Sequence, residues 1–353
     1  MTYLLSGDIG GTKTLLRLAR TTSPTSAQFQ QSYHSQAYPD LLAIVQEFLA
    51  AAQAQLGAQI EIDAACLGIA GAVIDRASYL PNLDWHLNAD KLAQALHIPN
   101  LLLINDFTAI GYGITQLQPA DLHTLQTGQP RLNAPIAIIG AGTGLGQGLL
   151  VHNGTQYQVV ATEGGHTDFA ARSRQEFELF EYICRHKQID RVSNERVLSG
   201  AGIVTIYQFL RDTSNISENI NIANVVKLWE SQPDTSVDPA GLISEMAIAN
   251  TDPLAQATMH MFISVYGAES GNLALKSLPY GGLFIAGGIA AKNLPLIADG
   301  TFTAAFHHKG RVSNLLANIP VQVVLNPQVG LIGASAQAAR LGFSVAGELP
   351  HLL

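Results

Sequence analysis

Residues 6–16 read SGDIGGTKTLL, with glycines and a threonine set between two apolar runs. Tyr3 to Ser6 and Thr14 to Ala19 have strand composition, so Asp8 to Thr12 reads as the tight turn of a hairpin. Two glycines let the backbone approach a polyanion, successive N–H groups form a nest, and the Thr12 hydroxyl adds a donor. Asp8 in the same turn offers a carboxylate to Mg²⁺ while the backbone holds phosphates. A plain hairpin turn uses the same residues, since DG and GG pairs are common there. The stretch is neither a nucleotide P-loop, because the GK[ST] ending is missing, nor a GxGxxG fingerprint. Residues 140–150, GAGTGLGQGLL, repeat the device between apolar runs at 135–140 and 147–152. Two such turns in one chain favour a phosphate clamp built from two domains, and backbone donors allow an acidic chain to hold ATP.

Working outward, Leu41, Ile44, Val45, Phe48, Leu49, Ala52 and Leu56 recur with helical spacing and predict an amphipathic helix after Asp40. Residues 64–70 read as a buried strand, Asn88 as the cap of a helix running to Leu96, and residues 101–104 as a short strand ending at Asn105-Asp106. Side chains at such carboxyl ends often carry function. Pro119, Gly128, Pro130 and Pro135 break the chain between 116 and 135, which marks a domain boundary. Beyond the second hairpin, helices are expected at 174–186, 200–211, 225–230 and 254–276, and strands at 282–286 and 321–325. Residues 212–239 are polar, rich in Asn and Ser, and read as a surface excursion that includes Trp229. A last helix at 332–341 carries small residues suited to close packing.

The 353 residues suffice for two sizeable cores, and only 13% of them are charged against 47% hydrophobic. Disorder and a charged coiled coil are excluded. With 27 acidic and 19 basic residues the net charge is −8, which argues against a nucleic-acid partner. Cys66 and Cys184 stand too far apart in sequence for a disulfide framework or a four-cysteine zinc site, and a reducing cytoplasm fits best. No basic, apolar leader precedes Asp8, and the apolar runs are short and interrupted by glycine, so neither secretion nor a membrane span is indicated.

Several polar groups interrupt this apolar pattern. Asp106 follows a strand expected to be buried, where a carboxylate is costly unless used or hydrogen-bonded; as the N-cap of a helix at 107–114 it would also be at home. Glu163-Gly164-Gly165-His166-Thr167-Asp168 sets an acid and an imidazole three apart around two glycines, better suited to hydroxyls than to a metal, with Asp168 as the only third ligand nearby. Glu195 lies in the first turn of a helix, favourable for purely helical reasons. Residues 283–288, LFIAGG, end a buried strand on glycines that let a flat ring lie on backbone. Asp84-Trp85 and His307-His308 read as surface or rim features.

Taken in order, GDIGGTK, INDFTA, GAGTGLG, EGGHTDF, SNERVLSGAG, GGLFIAGGI and NPQVGLIGASAQA resemble the bacterial glucokinase family, within the superfamily shared with actin and heat-shock chaperone ATPases. The resemblance spans nearly the whole chain. It implies an α/β fold of two ribonuclease-H-like (actin-like ATPase) domains with an interdomain cleft. The small N-terminal domain would take residues 1–116 plus 332–353, and the large C-terminal domain residues 117–331. It also implies transfer of the γ-phosphate of ATP to the 6-hydroxyl of glucose, with Asp106 as general base. Asn82, Asn105, Glu163, His166 and Glu195 would hold sugar hydroxyls. Asp8 would orient Mg²⁺, Gly10, Gly11, Thr12, Gly142, Thr143 and Gly144 the phosphates, and Gly287 with Gly288 the adenosine. A cytoplasmic homodimer is implied as well. Relatives with a zinc-binding cysteine cluster are excluded by the two distant cysteines. Residues 212–239 and the tail 346–353 look longer than the family needs. The alternatives are a kinase for another hexose or phosphoryl donor, or a sugar-sensing regulator on the same scaffold. A repressor, however, would need a DNA-binding helix pair ahead of the first strand.

Overall fold

The structure, a computed structural model, describes residues 2–231 and 237–344, which fall into two compact units. One comprises residues 2–118 and 326–344 with the short segment 157–161; the other comprises 119–156 and 162–325.

In the first unit β1 (Thr2–Ile9), β2 (Lys13–Arg20) and β3 (Ser23–His34) form an antiparallel meander, with Ile9 opposite Thr14 beside the predicted turn. β4 (Glu61–Ile69) and β7 (Asn100–Asn105) join parallel to β1, giving the order β3-β2-β1-β4-β7. Successive side chains of a strand point to opposite faces. Leu5 and Leu67 accordingly pack with Ile44, Val45 and Phe48 of α1 (Leu41–Leu56), whereas Leu4 and Cys66 pack with Ala334 and Ala338 of α13 (Val329–Ser344). The last helix thus belongs to the first unit, and begins three residues earlier than its apolar pattern predicts. Its small residues matter. A Cβ on Gly333 would overlap the Ala109 carbonyl in α3 (Asp106–Ile114), and one on Gly113 would overlap the Val329 carbonyl. Gly333→Ala should therefore cost about 1–3 kcal/mol through overpacking, read as a lower thermal midpoint.

Two expectations are corrected in this unit. β5 (Ala77–Leu80) and β6 (Trp85–Asn88) pair as a hairpin with Trp85 opposite Leu80. Trp85 and Leu87 alternate inward, so Trp85 is 2% exposed in the core and is no rim residue. The helix after β7 is capped by Asn105, not Asp106: the Asn105 Oδ1 accepts from Phe107 N at 2.9 Å and Thr108 N at 3.2 Å. Asn88 caps α2 (Ala89–Leu96) as expected, accepting from Lys91 N at 2.9 Å.

The second unit repeats the plan. β9 (Ile136–Ala141) and β10 (Leu145–His152) form a hairpin, β12 (Gly282–Ala286) lies parallel to β9, and β13 (Val321–Val324) lies parallel to β12. β8 (Leu122–Gln126) closes that edge antiparallel to β13; β11 (Tyr157–Thr162) follows β10 in the chain, and its residues 157–161 are the short segment that groups with the first unit. The order β10-β9-β12-β13 matches β2-β1-β4-β7, so the short sequence repeat marks a repeated topology, the ribonuclease-H-like arrangement expected of each unit. Around the sheet run α4 (Arg174–Lys187), α5 (Gly200–Thr213), α6 (Ile220–Ser231), α7 (Pro239–Ile248), α8 (Pro253–Ser277) and the short helices α9 (Gly288–Lys292), α10 (Leu294–Ile297), α11 (Thr301–His307) and α12 (Ser313–Leu316).

The polar stretch is also corrected. Within it α6 buries Ile222 and Val226 completely and leans Trp229 on the main core, while Ile220 and Leu228 of the same helix stay exposed. The tail 346–353 lies outside the described residues. Among the described residues no helix is long and apolar enough to cross a membrane.

Candidate active site

The first unit gathers its polar groups at the carboxyl ends of β1, β4 and β7, where Ile9, Ile69 and Asn105 stand in register. Asp8 is the penultimate residue of β1 and Asp106 the first of α3. Burial pushes the Asp8 carboxyl above its ordinary value, Lys13 partly opposing, and the carboxyl accepts no hydrogen bond from a described residue. Asp106 is pushed from 3.8 to about 6, first by burial and also by the Asp8 charge, against the Phe107 N–H and the Asn105 amide, which favour its charged form. Its Oδ1 accepts from Phe107 N at 2.8 Å and from Asn105 Nδ2 at 3.0 Å, and its Oδ2 accepts from no described residue. Asn105 Nδ2 also donates to Gly71 O at 3.1 Å. Both hydrogens of that amide are therefore engaged, and they fix the direction of the Asp106 carboxyl.

The adjoining turn is held from behind. Gly10 N donates to Lys13 O at 2.9 Å, Ser35 Oγ to Gly10 O at 2.8 Å, and Ser35 N to Thr12 O at 3.0 Å. The N–H groups of Gly11 and Thr12 donate to no described residue and stay available as the expected nest. Asn82 stands over this turn, its side chain 3.7 Å from where a Cβ on Gly11 would be.

In the second unit the β9–β10 hairpin anchors everything the sequence singled out. Gly142 N donates to Gly144 O at 2.8 Å, leaving the N–H groups of Thr143 and Gly144 without an acceptor among the described residues. Glu195 lies in a single 3₁₀ turn, Asn194–Arg196, and not in a longer helix. Its Oε2 accepts from Leu145 N at 3.0 Å, and a Cβ on Gly144 would come within 2.5 Å of that oxygen. The loop of Glu163 and His166 lies on the same strand: a Cβ on Gly165 would overlap Leu145 O, so this glycine is a matter of close approach. His166 Nε2 is 3.8 Å from Glu163 Oε2, both side chains exposed. Asn194 ties the two loops, donating from its backbone N to Thr167 O at 2.8 Å and from Nδ2 to Thr167 Oγ1 at 3.0 Å. Asp168 turns away to accept from Arg191 at 2.5 Å, and among the described residues no cluster with metal-binding geometry exists. The arrangement of carboxylates and an imidazole suits sugar hydroxyls.

Thr143 and Gly142 also border a cavity of about 590 Å³ with Gly288, at the far side of the hairpin tip. Gly287, which does not itself line the cavity, adopts φ 85°, and a Cβ on it would come within 2.5 Å of Ala141 O. The cavity walls include Gly200 and Ile203 of α5, Ser244 and Ile248 of α7, and Ile289 and Lys292 of α9, none of which was expected as a site residue. The stretch 199–202, SGAG, was the signal for α5: Ser199 caps the helix by accepting from Gly202 N at 3.1 Å, and Gly200 N donates to Gly142 O at 2.9 Å.

The glucokinase family model matches residues 5–341. A glucokinase of Nostoc punctiforme is 52% identical over 97% of this chain and all of its own. Among solved structures, a glucokinase from an Antarctic psychrotroph superposes with a TM-score of 0.78 at 27% identity, covering 98% of this chain and 100% of that one. In fold alone, a ROK family glucokinase from Streptomyces griseus, solved with glucose and AMPPNP, is also similar, with a TM-score of 0.63 at 20% identity over 96% of this chain and 99% of that one. With a family match over nearly its whole length, and an identity no chance similarity reaches at that coverage, this chain belongs to the glucokinase family.

Proposed function

We propose that this protein transfers the γ-phosphate of ATP to the 6-hydroxyl of glucose, releasing ADP, with Asp106 as the general base. The observation that carries the reading is the Asp106 carboxyl: one oxygen tied down, the other unengaged, and a pKa of about 6 that keeps it charged at neutral pH yet basic enough to take a proton. As the hydroxyl oxygen attacks phosphorus, its proton passes to Asp106 Oδ2. Asn105 supports this by orienting Asp106; to bind a sugar hydroxyl as well, it would exchange one of its present donations.

The N–H groups of Gly11, Thr12, Thr143 and Gly144 serve as donors to phosphate oxygens, whereas those of Gly10 and Gly142 are engaged within the turns and shape them. The cavity beside Gly288 takes the adenosine, with Gly287 setting the turn that leads into α9. Mg²⁺ fits Asp8, a buried carboxylate that no side-chain hydrogen bond satisfies and whose burial the charge of Lys13 offsets only in part. When bound, the ion supplies charge neutralisation on the phosphate oxygens. Glu163, His166 and Glu195 accept from or donate to glucose hydroxyls, and Asn82 adds a contact beside the Gly11 turn. The family resemblance alone supports a homodimer and a cytoplasmic setting.

The reading is tested by a coupled ADP-release assay over a panel of sugars and phosphoryl donors, in which glucose with ATP should give the highest kcat/KM. His166→Ala and Glu163→Gln each leave a hydroxyl unpaired and should raise the glucose KM by about 1–3 kcal/mol of lost binding, with the ATP KM little changed. A wild-type glucose KM in both variants would remove the loop from the sugar site.

A further inference from the structure

Glu269, in the middle of α8, is 4% exposed, and the proposed chemistry does not use it. A carboxylate this deep is retained only where its oxygens are matched by donors. Both are: Oε1 accepts from Gln147 Nε2 at 2.9 Å and Oε2 from Asn272 Nδ2 at 2.9 Å. Lys309 Nζ in turn donates to Asn272 Oδ1 at 2.5 Å and to Ala268 O at 2.9 Å, so a cation closes the far end of the chain.

The near end is what gives the chain a purpose. Because Gln147 points its Nε2 at Glu269, its Oε1 must face the other way, and there it lies against Gly164, where a Cβ would overlap it. The backbone at the same position is tied too: Gly164 N donates to Thr162 Oγ1 at 3.2 Å, and that hydroxyl donates to Gln147 O at 3.0 Å. Gly164 stands between Glu163 and His166. The phosphate turn has a separate brace, since Ala141 N donates to Tyr266 Oη at 3.0 Å, from a residue close to one helical turn before Glu269.

We propose that Glu269 is a positioning residue for glucose binding, acting through the Gln147 amide to set the loop that carries Glu163 and His166. The proposal rests on the reading that this loop holds the sugar. A neutral amide at position 269 offers one acceptor to two amide donors, so either a donor is lost or Gln147 turns its NH₂ group onto Gly164. Exchanging the two side chains restores every bond. The amide, now at position 269, would donate to the carboxylate at position 147 and accept from Asn272, and the second carboxylate oxygen would face Gly164.

Steady-state kinetics on the full chain decide the matter. Glu269→Gln should raise the glucose KM about tenfold, leave the ATP KM unchanged and keep kcat at saturating glucose within about twofold. The double variant Gln147→Glu with Glu269→Gln should return the glucose KM to within about twofold of wild type. If the single variant does not fold, Gln147→Met, which removes the oxygen behind Gly164 and keeps the carboxylate, should show the same split. An unchanged glucose KM in the single variant tested, a loss shared equally by the ATP KM and kcat, or an exchange no better than Glu269→Gln would overturn the proposal. Failure of the underlying reading looks different: Glu163→Gln and His166→Ala would then keep the wild-type glucose KM whatever Glu269→Gln does.

Discussion

Replacing Asp106 by Asn should lower kcat by about 10²- to 10⁴-fold, the usual contribution of a positioned general base, while the protein becomes no less stable. The second half of this expectation follows from the raised pKa. A carboxyl of folded pKa about 6 and unfolded pKa near 3.8 holds more protons in the native state than in the unfolded one between those values. Stability therefore falls as pH rises through that window and stays lowered above it. The penalty at neutral pH is at most about 3 kcal/mol, and the Asp106→Asn variant would not incur it, since the carbonyl of its amide still accepts from the Phe107 N–H. Kinetics and a thermal midpoint measured on the same preparation test both halves. A variant keeping half the wild-type kcat excludes the role, whereas a large loss of kcat with a lowered midpoint would point to simple damage.

Asp8→Ala should raise the Mg²⁺ concentration for half-maximal activity at least about tenfold and lower kcat/KM for ATP about 10- to 100-fold, as expected for a lost charge-assisted contact. The glucose KM should stay near wild type, because Asp8 is assigned to the nucleotide side. Thr12→Val and Thr143→Val should raise the ATP KM by smaller factors, each removing one hydroxyl donor from a nest of backbone N–H groups that remains. A wild-type Mg²⁺ titration in Asp8→Ala would refute its assignment.

Much of this architecture was legible in the sequence because it is written in short-range signals. Glycine turns between apolar runs exposed both hairpins, and Asn88 announced its helix because it is followed by an acidic first turn at Asp90. At 105–106 two good capping residues stand side by side, and local propensity cannot choose between them. The Gly71 carbonyl, 34 residues away in sequence, turns Asn105 into the cap and leaves Asp106 one oxygen to work with. Trp85 was misplaced for a similar reason: only the pairing with Leu80 shows which face of β6 is inward. Only the second half of helix α6, expected at 225–230, stood out, because the Asn and Ser residues flanking it give the surrounding stretch a polar composition. Of the cavity beside Gly288 only the glycine turns were legible, since its remaining walls come from helices α5, α7 and α9, which are far apart in sequence and which no local pattern brings together. The Glu269 chain was equally hidden, its members being 122 and 3 residues apart along the sequence.

The most direct test of the central claim, that Asp106 is the base, is the pH dependence of kcat/KM for glucose, which reports ionisations of the free enzyme. The wild type should lose activity about tenfold per pH unit below an apparent pKa of about 6, the value burial gives Asp106. That limb should persist in His166→Gln and vanish from the residual activity of Asp106→Asn. An unchanged limb in Asp106→Asn, or one that disappears in His166→Gln instead, would assign proton transfer to another group and contradict the account.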